Sequence, residues 1–300
     1  MSDYYIQLRG GVNEKLYNQI QNLQGICESY HETNLKLELD YKLAKYKTDG
    51  CNMIQKINEF TYWDEQTLIG YIGINDFGGR VIEVNGMVHP EYRRKGIFKK
   101  LFSLVVDEWS KRDIDTMLLL TDKRSIEGKE FINSRNAIYD HCEYEMVLCN
   151  SKYESLKNTM MEMYLRDANS EDVLEIARQN SIYFGEELKD QTLIDVEEEK
   201  NRGFYIYMAE LNGVIIGKVH LHIMEGKGGI FGLGILPVYR GKGYGRELLL
   251  CSVEKLMELG TNHIFLQVDA ENDTALGLYT SCGFDEIYSM EYYKLTKGKW

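Results

Sequence analysis

Proline is almost missing from this 300-residue sequence: there are two, Pro90 and Pro237. Proline removes a backbone donor and breaks helix interiors and central strands. Its scarcity leaves long regular elements uninterrupted and singles out the two places where it does occur. Cysteine is sparse and scattered. Cys27, Cys51, Cys142, Cys149, Cys251 and Cys282 include no C-x-x-C pair, which argues against a disulfide framework or a zinc site and for reduced, mostly buried thiols. No apolar run approaches the roughly 20 residues that span a bilayer. The start, Met1-Ser2-Asp3-Tyr4-Tyr5, is not the basic-then-apolar pattern of a secretory signal. A cytoplasmic location without membrane contact is expected. Positive charge is in deficit: 35 Lys and Arg against 47 Asp and Glu give a net charge of −12. That argues against a general affinity for nucleic acid, whose phosphates attract Lys and Arg. The surplus of carboxylates suits a cationic partner such as an amine, or serves only solubility.

What is present repeats itself. At about 150 residues per domain the length predicts two domains, and the prolines mark them. His89-Pro90-Glu91-Tyr92-Arg93-Arg94-Lys95-Gly96-Ile97-Phe98 is followed 147 residues later by Leu236-Pro237-Val238-Tyr239-Arg240-Gly241-Lys242-Gly243-Tyr244-Gly245. Pro, Tyr, Arg, Lys and Gly recur in register, and the same offset pairs Asp122 with Asp269 and Ser134 with Ser281. Repetition at domain length means duplication, not a solenoid. The boundary is expected near Cys149 to Ser155.

Each half has the same order of elements. In the second, alternating or continuous apolar runs predict strands at Met163–Arg166, Phe204–Glu210, Val214–Met224, Ile230–Ile235, His263–Val268 and Phe284–Leu295. Helices are expected over 172–180, 192–201 and 243–259, the last stopped by Gly260, and from Asp273 to Gly283. In the first half the corresponding strands are Phe60–Trp63, Leu68–Asn75, Arg80–Val88, Thr116–Thr121 and Asp140–Leu148, with a helix over Ile97–Lys111.

The chemistry is carried by Arg240-Gly241-Lys242-Gly243-Tyr244-Gly245, between an apolar strand and a long amphipathic helix. Such a glycine-rich turn presents consecutive backbone N–H groups at the positive end of a helix, which suits a pyrophosphate. Two other phosphate loops fail on spacing. A P-loop needs G-x-x-x-x-G-K-[ST], and Lys242 is followed by Gly243; the dinucleotide fingerprint G-x-G-x-x-G is not matched. A glycine-rich helix start without a ligand is the other reading of this loop alone.

The loop is joined downstream by Leu266-Gln267-Val268-Asp269-Ala270-Glu271-Asn272-Asp273 and then Leu278-Tyr279-Thr280-Ser281-Cys282-Gly283-Phe284. Here the chain resembles the GNAT superfamily of N-acetyltransferases. One shared signature is R-x-x-G-x-G after a strand ending Leu233-Gly234-Ile235-Leu236-Pro237. The other is strand, Asn, helix and L-Y-x-x-x-G-F. The resemblance covers nearly the whole chain as two copies, the tandem two-domain type, similar in layout to the mycothiol synthases and related bacterial acetyltransferases. It implies an α/β fold, with an α+β mixed sheet, as two tandem acyl-CoA N-acyltransferase domains. Residues 1–150 would form a degenerate N-terminal GNAT-like domain and 151–300 a C-terminal domain with the acetyl-CoA site.

The resemblance also implies roles. Leu233, Gly234, Ile235, Arg240, Gly241, Lys242, Gly243, Tyr244 and Gly245 would bind acetyl-CoA. Asn272 would hold its pantetheine or phosphate part, and Tyr279 would be the catalytic acid that protonates the departing thiolate. Asn272 and Tyr279 are seven residues apart and share a helix face. The backbone N–H of Ile235 or Leu236 would polarise the acetyl carbonyl. A core tyrosine with a satisfied hydroxyl is the alternative for Tyr279. At the 147-residue offset, Tyr279 meets Ile132, Asn272 meets Ser125 and Gly245 meets Phe98, so the first copy lacks the acid.

The general base is not marked. The strand before the loop has no carboxylate; Glu210, His220, His222 and Glu225 stand on or beside neighbouring strands, and a water relay is also open. His220 and His222 share a sheet face, as a base, as two metal ligands or as ordinary decoration. No metal is expected. Glu83 occupies the family's base position, but beside the degraded site. Glu197-Glu198-Glu199 attracts a cationic amine or is a solvated helix face. The leading function is an acetyl-CoA-dependent N-acetyltransferase acting by direct attack of a small-molecule amine, as a monomer or homodimer. Protein or peptide N-terminal acetylation and a non-catalytic acyl-CoA-binding module are the alternatives.

Overall fold

A computed structural model describes residues 3–49, 56–77, 79–156, 162–185, 193–224 and 226–298. Cys51, Thr192 and the base candidate Glu225 lie outside the described residues. In chain order the elements are β1 (Tyr4–Arg9), α1 (Glu14–His31), α2 (Leu39–Asp49), β2 (Glu59–Asp64), β3 (Thr67–Asn75), β4 (Val81–Val88), α3 (Ile97–Ser110), β5 (Thr116–Asp122), α4 (Ile126–Asn133) and β6 (Ile138–Leu148). There follow α5 (Asn150–Glu154), β7 (Tyr164–Asp167), α6 (Val173–Phe184), α7 (Val196–Asn201), β8 (Phe204–Leu211), β9 (Val214–Met224), β10 (Lys227–Ile235), α8 (Tyr244–Glu258), β11 (His263–Asp269), α9 (Asp273–Ser281) and β12 (Phe284–Thr296). This is the mixed α/β architecture expected from the sequence.

The chain forms two compact units, Met1–Cys142 with Tyr288–Trp300, and Glu143–Ile287. In the first, the strand order is β1-β2-β3-β4-β5 and then the last part of β12; in the second it is the last part of β6, then β11-β10-β9-β8-β7. Each unit is therefore completed by a strand from the other sequence half: Met290–Thr296 pairs antiparallel with β5, and Glu143–Val147 with β11. The units consequently do not coincide with residues 1–150 and 151–300. Periodicity in a sequence marks a strand but not the neighbour it bonds to.

The same local rules build both units. In α3, Ile97, Leu101, Val105 and Trp109 recur every fourth residue and are buried with Phe102 and Val106. In α8, Leu249, Val253 and Leu256 recur at steps of four and three and are buried with Leu248. Fully burying each such side chain contributes about 1.5–3 kcal/mol. Elements not read from the sequence are β1, α1, α2, α4 and α5. Helix α1 is begun by Asn13, whose side chain accepts from the Leu16 amide, and it buries Leu16, Ile20, Leu23 and Cys27. Those side chains pack with Val12, Leu37, Trp63 and Met87 in a cluster of their own.

Beside that cluster lies a buried ion pair. Lys42 Nζ donates to both carboxylate oxygens of Glu59 at 3.0 Å and to the Ile74 carbonyl, while the Tyr71 hydroxyl donates to Glu59 Oε2. Burial pushes the Lys42 pKa down despite the carboxylate, and raises that of Tyr71. Removing one partner of such a pair leaves an uncompensated charge. Glu59→Ala should therefore destabilise the first unit by about 3–5 kcal/mol, read as a lower urea midpoint; a midpoint equal to the parent's would show that the pair does not support this sheet.

Candidate active site

The site begins where two parallel strands part. β10 and β11 pair only over Lys227–Ile230 and His263–Leu266. Beyond that, β10 stays with β9 and β11 with β6. The facing edges of the two strands are left without each other as partners, and a wedge opens. The first unit repeats this: β4 and β5 pair only over Val81–Val84 and Thr116–Leu119, then follow β3 and β12.

At the wide end of each wedge stands the glycine-rich turn. Arg240 Nε donates to the Ile235 carbonyl at 2.8 Å, and Arg93 Nε to the Val88 carbonyl at 3.0 Å. These bonds tie the loop to the strand end it leaves. Gly241 and Gly243 have φ of 73° and 90°, a left-handed conformation that suits glycine. A Cβ at either would meet nothing within 4 Å, and one at Gly245 only Leu278. Helix α8 starts on Gly243 with no side-chain cap, so its first amides have no partner within the helix. The loop thus offers unobstructed donors at a positive helix end, which fits a diphosphate. In the first unit Gly96 has φ 78°, but Arg94 takes the place of Gly241 at φ 62° and Phe98 that of Gly245.

The two wedges differ along their strands as well. The β9–β10 register shifts between Phe231 and Gly234, with Gly232 at φ 55°, a bulge that releases backbone groups from the ladder. The β3–β4 register is unbroken. Of the two amides expected to polarise a carbonyl, that of Leu236 is taken by the Ile216 carbonyl at 2.8 Å and drops out. Antiparallel alternation then turns the Ile235 amide away from β9. Gly234 has a packing reason to be glycine, since a Cβ there would run into the Tyr183 ring of α6.

Asn272 caps α9, its Oδ1 accepting from the Ala275 amide at 3.1 Å; Ser125 does the same for α4. A capping role therefore accounts for part of its place in the motif. Tyr279 is partly buried against Phe284 and the core of the second unit. Burial raises its pKa, so the phenol carries its proton at neutral pH. Ile132, its counterpart, is buried in the core of the first unit. Cys282 is buried too, and burial raises its pKa, which keeps it a thiol.

The base candidates are engaged elsewhere. Glu210 accepts from Arg166 Nε at 2.7 Å, and Arg166 also forks onto Asp172. His222 stacks on Phe204 with centroids 3.8 Å apart. His220 Nε2 lies 3.2 Å from Lys218 Nζ, and burial, then Lys218, push its pKa down to about 3. Glu198 and Glu199 pair with Arg202 at the end of their helix. Glu83 is half-buried on β4. No group of His, Cys, Asp and Glu that could hold a metal occurs among the described residues.

Lys218 was not anticipated. It is fully buried on β9, donates to the Gly232 carbonyl at the bulge at 3.1 Å, and lies 5.7 Å from the ring centres of Tyr183 and Phe184. Its one sequence signal is a lysine inside a strand that is otherwise apolar apart from the two histidines.

Comparison with known proteins agrees with this geometry. The model of the acetyltransferase (GNAT) family matches residues 19–127 and 170–284. The chain is 25% identical over 244 residues to a mycothiol acetyltransferase of Amycolatopsis mediterranei, covering 73% of this chain and 78% of the relative. Among solved structures, a GCN5-related N-acetyltransferase from Sphaerobacter thermophilus superposes with a TM-score of 0.73 at 16% identity, covering 98% of this chain and 95% of that one. A tandem GNAT protein from the clavulanic acid biosynthesis pathway gives 0.71 at 13% identity over 99% and 100%. Two wedges with two phosphate-type turns, matched twice by one family and throughout by tandem folds, make this chain a tandem member of the GNAT acetyltransferase family.

Proposed function

We propose that the second unit transfers an acetyl group from acetyl-CoA to the amine of a small molecule. The observation that carries this reading is the conjunction, in that unit alone, of an uncapped, glycine-lined helix start, a bulged strand edge and a protonated phenol on the next helix. The loop Arg240, Gly241, Lys242, Gly243, Tyr244 and Gly245 would hold the diphosphate, and Leu233, Gly234, Ile235 and Asn272 the arm that follows it. Bound acetyl-CoA supplies the thioester. The Ile235 amide donates to the acetyl oxygen as charge develops there. The amine nitrogen bonds to the carbonyl carbon, the C–S bond breaks and Tyr279 gives its proton to the departing sulfur, while the proton that the nitrogen sheds passes through water and restores the phenol. Holding the two reactants side by side supplies much of the remaining rate.

An amine is favoured by the net charge of −12, which attracts cations, and a small molecule by the mycothiol in the name of the acetyltransferase relative. Peptide N-terminal acetylation is the second reading. The presence of Tyr279 speaks against a silent binding module. No described helix is long and apolar enough to cross a membrane.

Tyr279→Phe keeps the ring and removes the hydroxyl. It should lower kcat by about 10²-fold with little change in acetyl-CoA affinity, while Cys282→Ala leaves turnover nearly intact. A silent Tyr279→Phe with a dead Cys282→Ala would point to an acyl-enzyme instead.

His220 yields a pH prediction. Its pKa falls from 6.5 when unfolded to about 3 when folded, so the unfolded chain binds the extra proton first. Stability from keeping this ring neutral is complete above pH 6.5 and is lost as pH falls towards 3. The urea midpoint should drop between pH 7 and 4.5, by an amount equivalent to roughly 2 kcal/mol, and His220→Gln should flatten that drop. The kcat profile between pH 5 and 8 should keep its shape in His220→Gln; a lost limb would make His220 the base after all.

A further inference from the structure

The wedge of the first unit, which lacks the acid, encloses a cavity of about 300 Å³. That volume reaches the lower end of the range for small-molecule sites. Its walls are apolar: Met87, Leu119, Phe102, Phe131 and Ile132 face it, with the Cys27 thiol at one end 3.5 Å from the Val88 carbonyl. Phe98 and Phe102 both pack edge-on against Phe131, at 4.6 and 5.2 Å between centroids. A closed core would fill such a space, because each lost contact costs stability.

The mouth is cationic. Arg94 and Lys99 are exposed beside it, Arg94 in a solvent-exposed pair with Glu130 at 3.8 Å that a ligand carboxylate can replace. Helix α3 starts there on Gly96 without a side-chain cap, adding free amides and a positive helix end. Of the carboxylates that line it, Asp122 is already compensated. Asp122 takes two bonds from Arg124, at 3.1 and 2.9 Å to different oxygens, and one from the Asn34 amide at 2.8 Å. Glu127 lies 3.3 Å from His31 Nε2, which offsets its charge only when that ring is protonated. Phe98 stands where the second unit has only Gly245, so the approach to the loop amides is narrower and suits one carboxylate better than a diphosphate.

We propose that this cavity is a second ligand site that takes a linear aliphatic monocarboxylate. The chain lies among Phe102, Phe131 and Ile132, and the carboxylate sits at the start of α3 between Arg94 and Lys99. Binding there makes and breaks no covalent bond. The proposal stands on the first unit alone, so its failure and that of the acyl-transfer reading are separate results.

Calorimetric titration of the full chain with decanoate tests it. The expected result is one equivalent bound, with affinity about tenfold lower in Arg94→Glu/Lys99→Glu, equivalent to about 1.4 kcal/mol. Binding should be lost in Ile132→Trp, which fills the cavity. Acetyl-CoA affinity should be the same in all three proteins. Ile132→Trp can fail to fold, but the surface double variant keeps the test decisive. Decanoate that does not bind the parent, binds the double variant as tightly, or is displaced one for one by acetyl-CoA overturns the proposal.

Discussion

The proposed chemistry depends on the early parting of β10 from β11. The two strands share a short parallel ladder and are then held by different neighbours, β9 on one side and β6 on the other. Buried backbone groups need partners, and on the facing edges of the wedge a neighbouring strand does not supply them. A ligand can. The bulge at Gly232 widens the effect, and the Arg240 bond to the Ile235 carbonyl fixes where the strand ends and the turn begins. The start of α8 follows from these constraints, and with it a place where the first amides of a helix stand uncapped beside unhindered glycines.

Duplication preserved this frame more faithfully than it preserved the chemistry. The Arg-to-carbonyl tie, the left-handed glycine before the helix and the capping residue after the next strand recur in both units. Each is a backbone requirement, and losing it would unmake the turn. The residues that changed, Tyr279 to Ile132 and Gly245 to Phe98, are ones the fold tolerates with apolar side chains. Their exchange turns a wedge suited to a charged, hydrogen-bonding ligand into one walled by aromatic rings.

Much of this was legible in the sequence because it rests on local rules. Glycine spacing, the two prolines and the apolar periods of α3 and α8 marked the turns and helices at nearly their observed limits. Three things were not legible. The exchange of closing strands between the halves is set by hydrogen-bond partners hundreds of atoms away, and β6 and β12 read alike wherever they pair. Helix α1 was overlooked because its apolar positions are diluted by Gln, Asn and Glu, although Asn13 is an ordinary helix-capping residue. The sequence left the histidine pair on β9 open between decoration, a base and metal ligands, because the environment sets its behaviour: burial and Lys218 keep His220 neutral, and Phe204 covers His222.

The central claim is that acetyl-CoA is held at the start of α8 and not at the start of α3. Gly243 and Gly96 occupy the same left-handed position in the two units, so a glutamate imposes a similar backbone strain at either one and adds a charge beside the helix amides. Acetyl-CoA affinity measured by calorimetry on Gly243→Glu and Gly96→Glu therefore compares the two wedges directly. The account predicts a loss of about a hundredfold or more for Gly243→Glu, equivalent to about 2.7 kcal/mol, and parental affinity for Gly96→Glu. Parental affinity in Gly243→Glu, or a loss confined to Gly96→Glu, would contradict it.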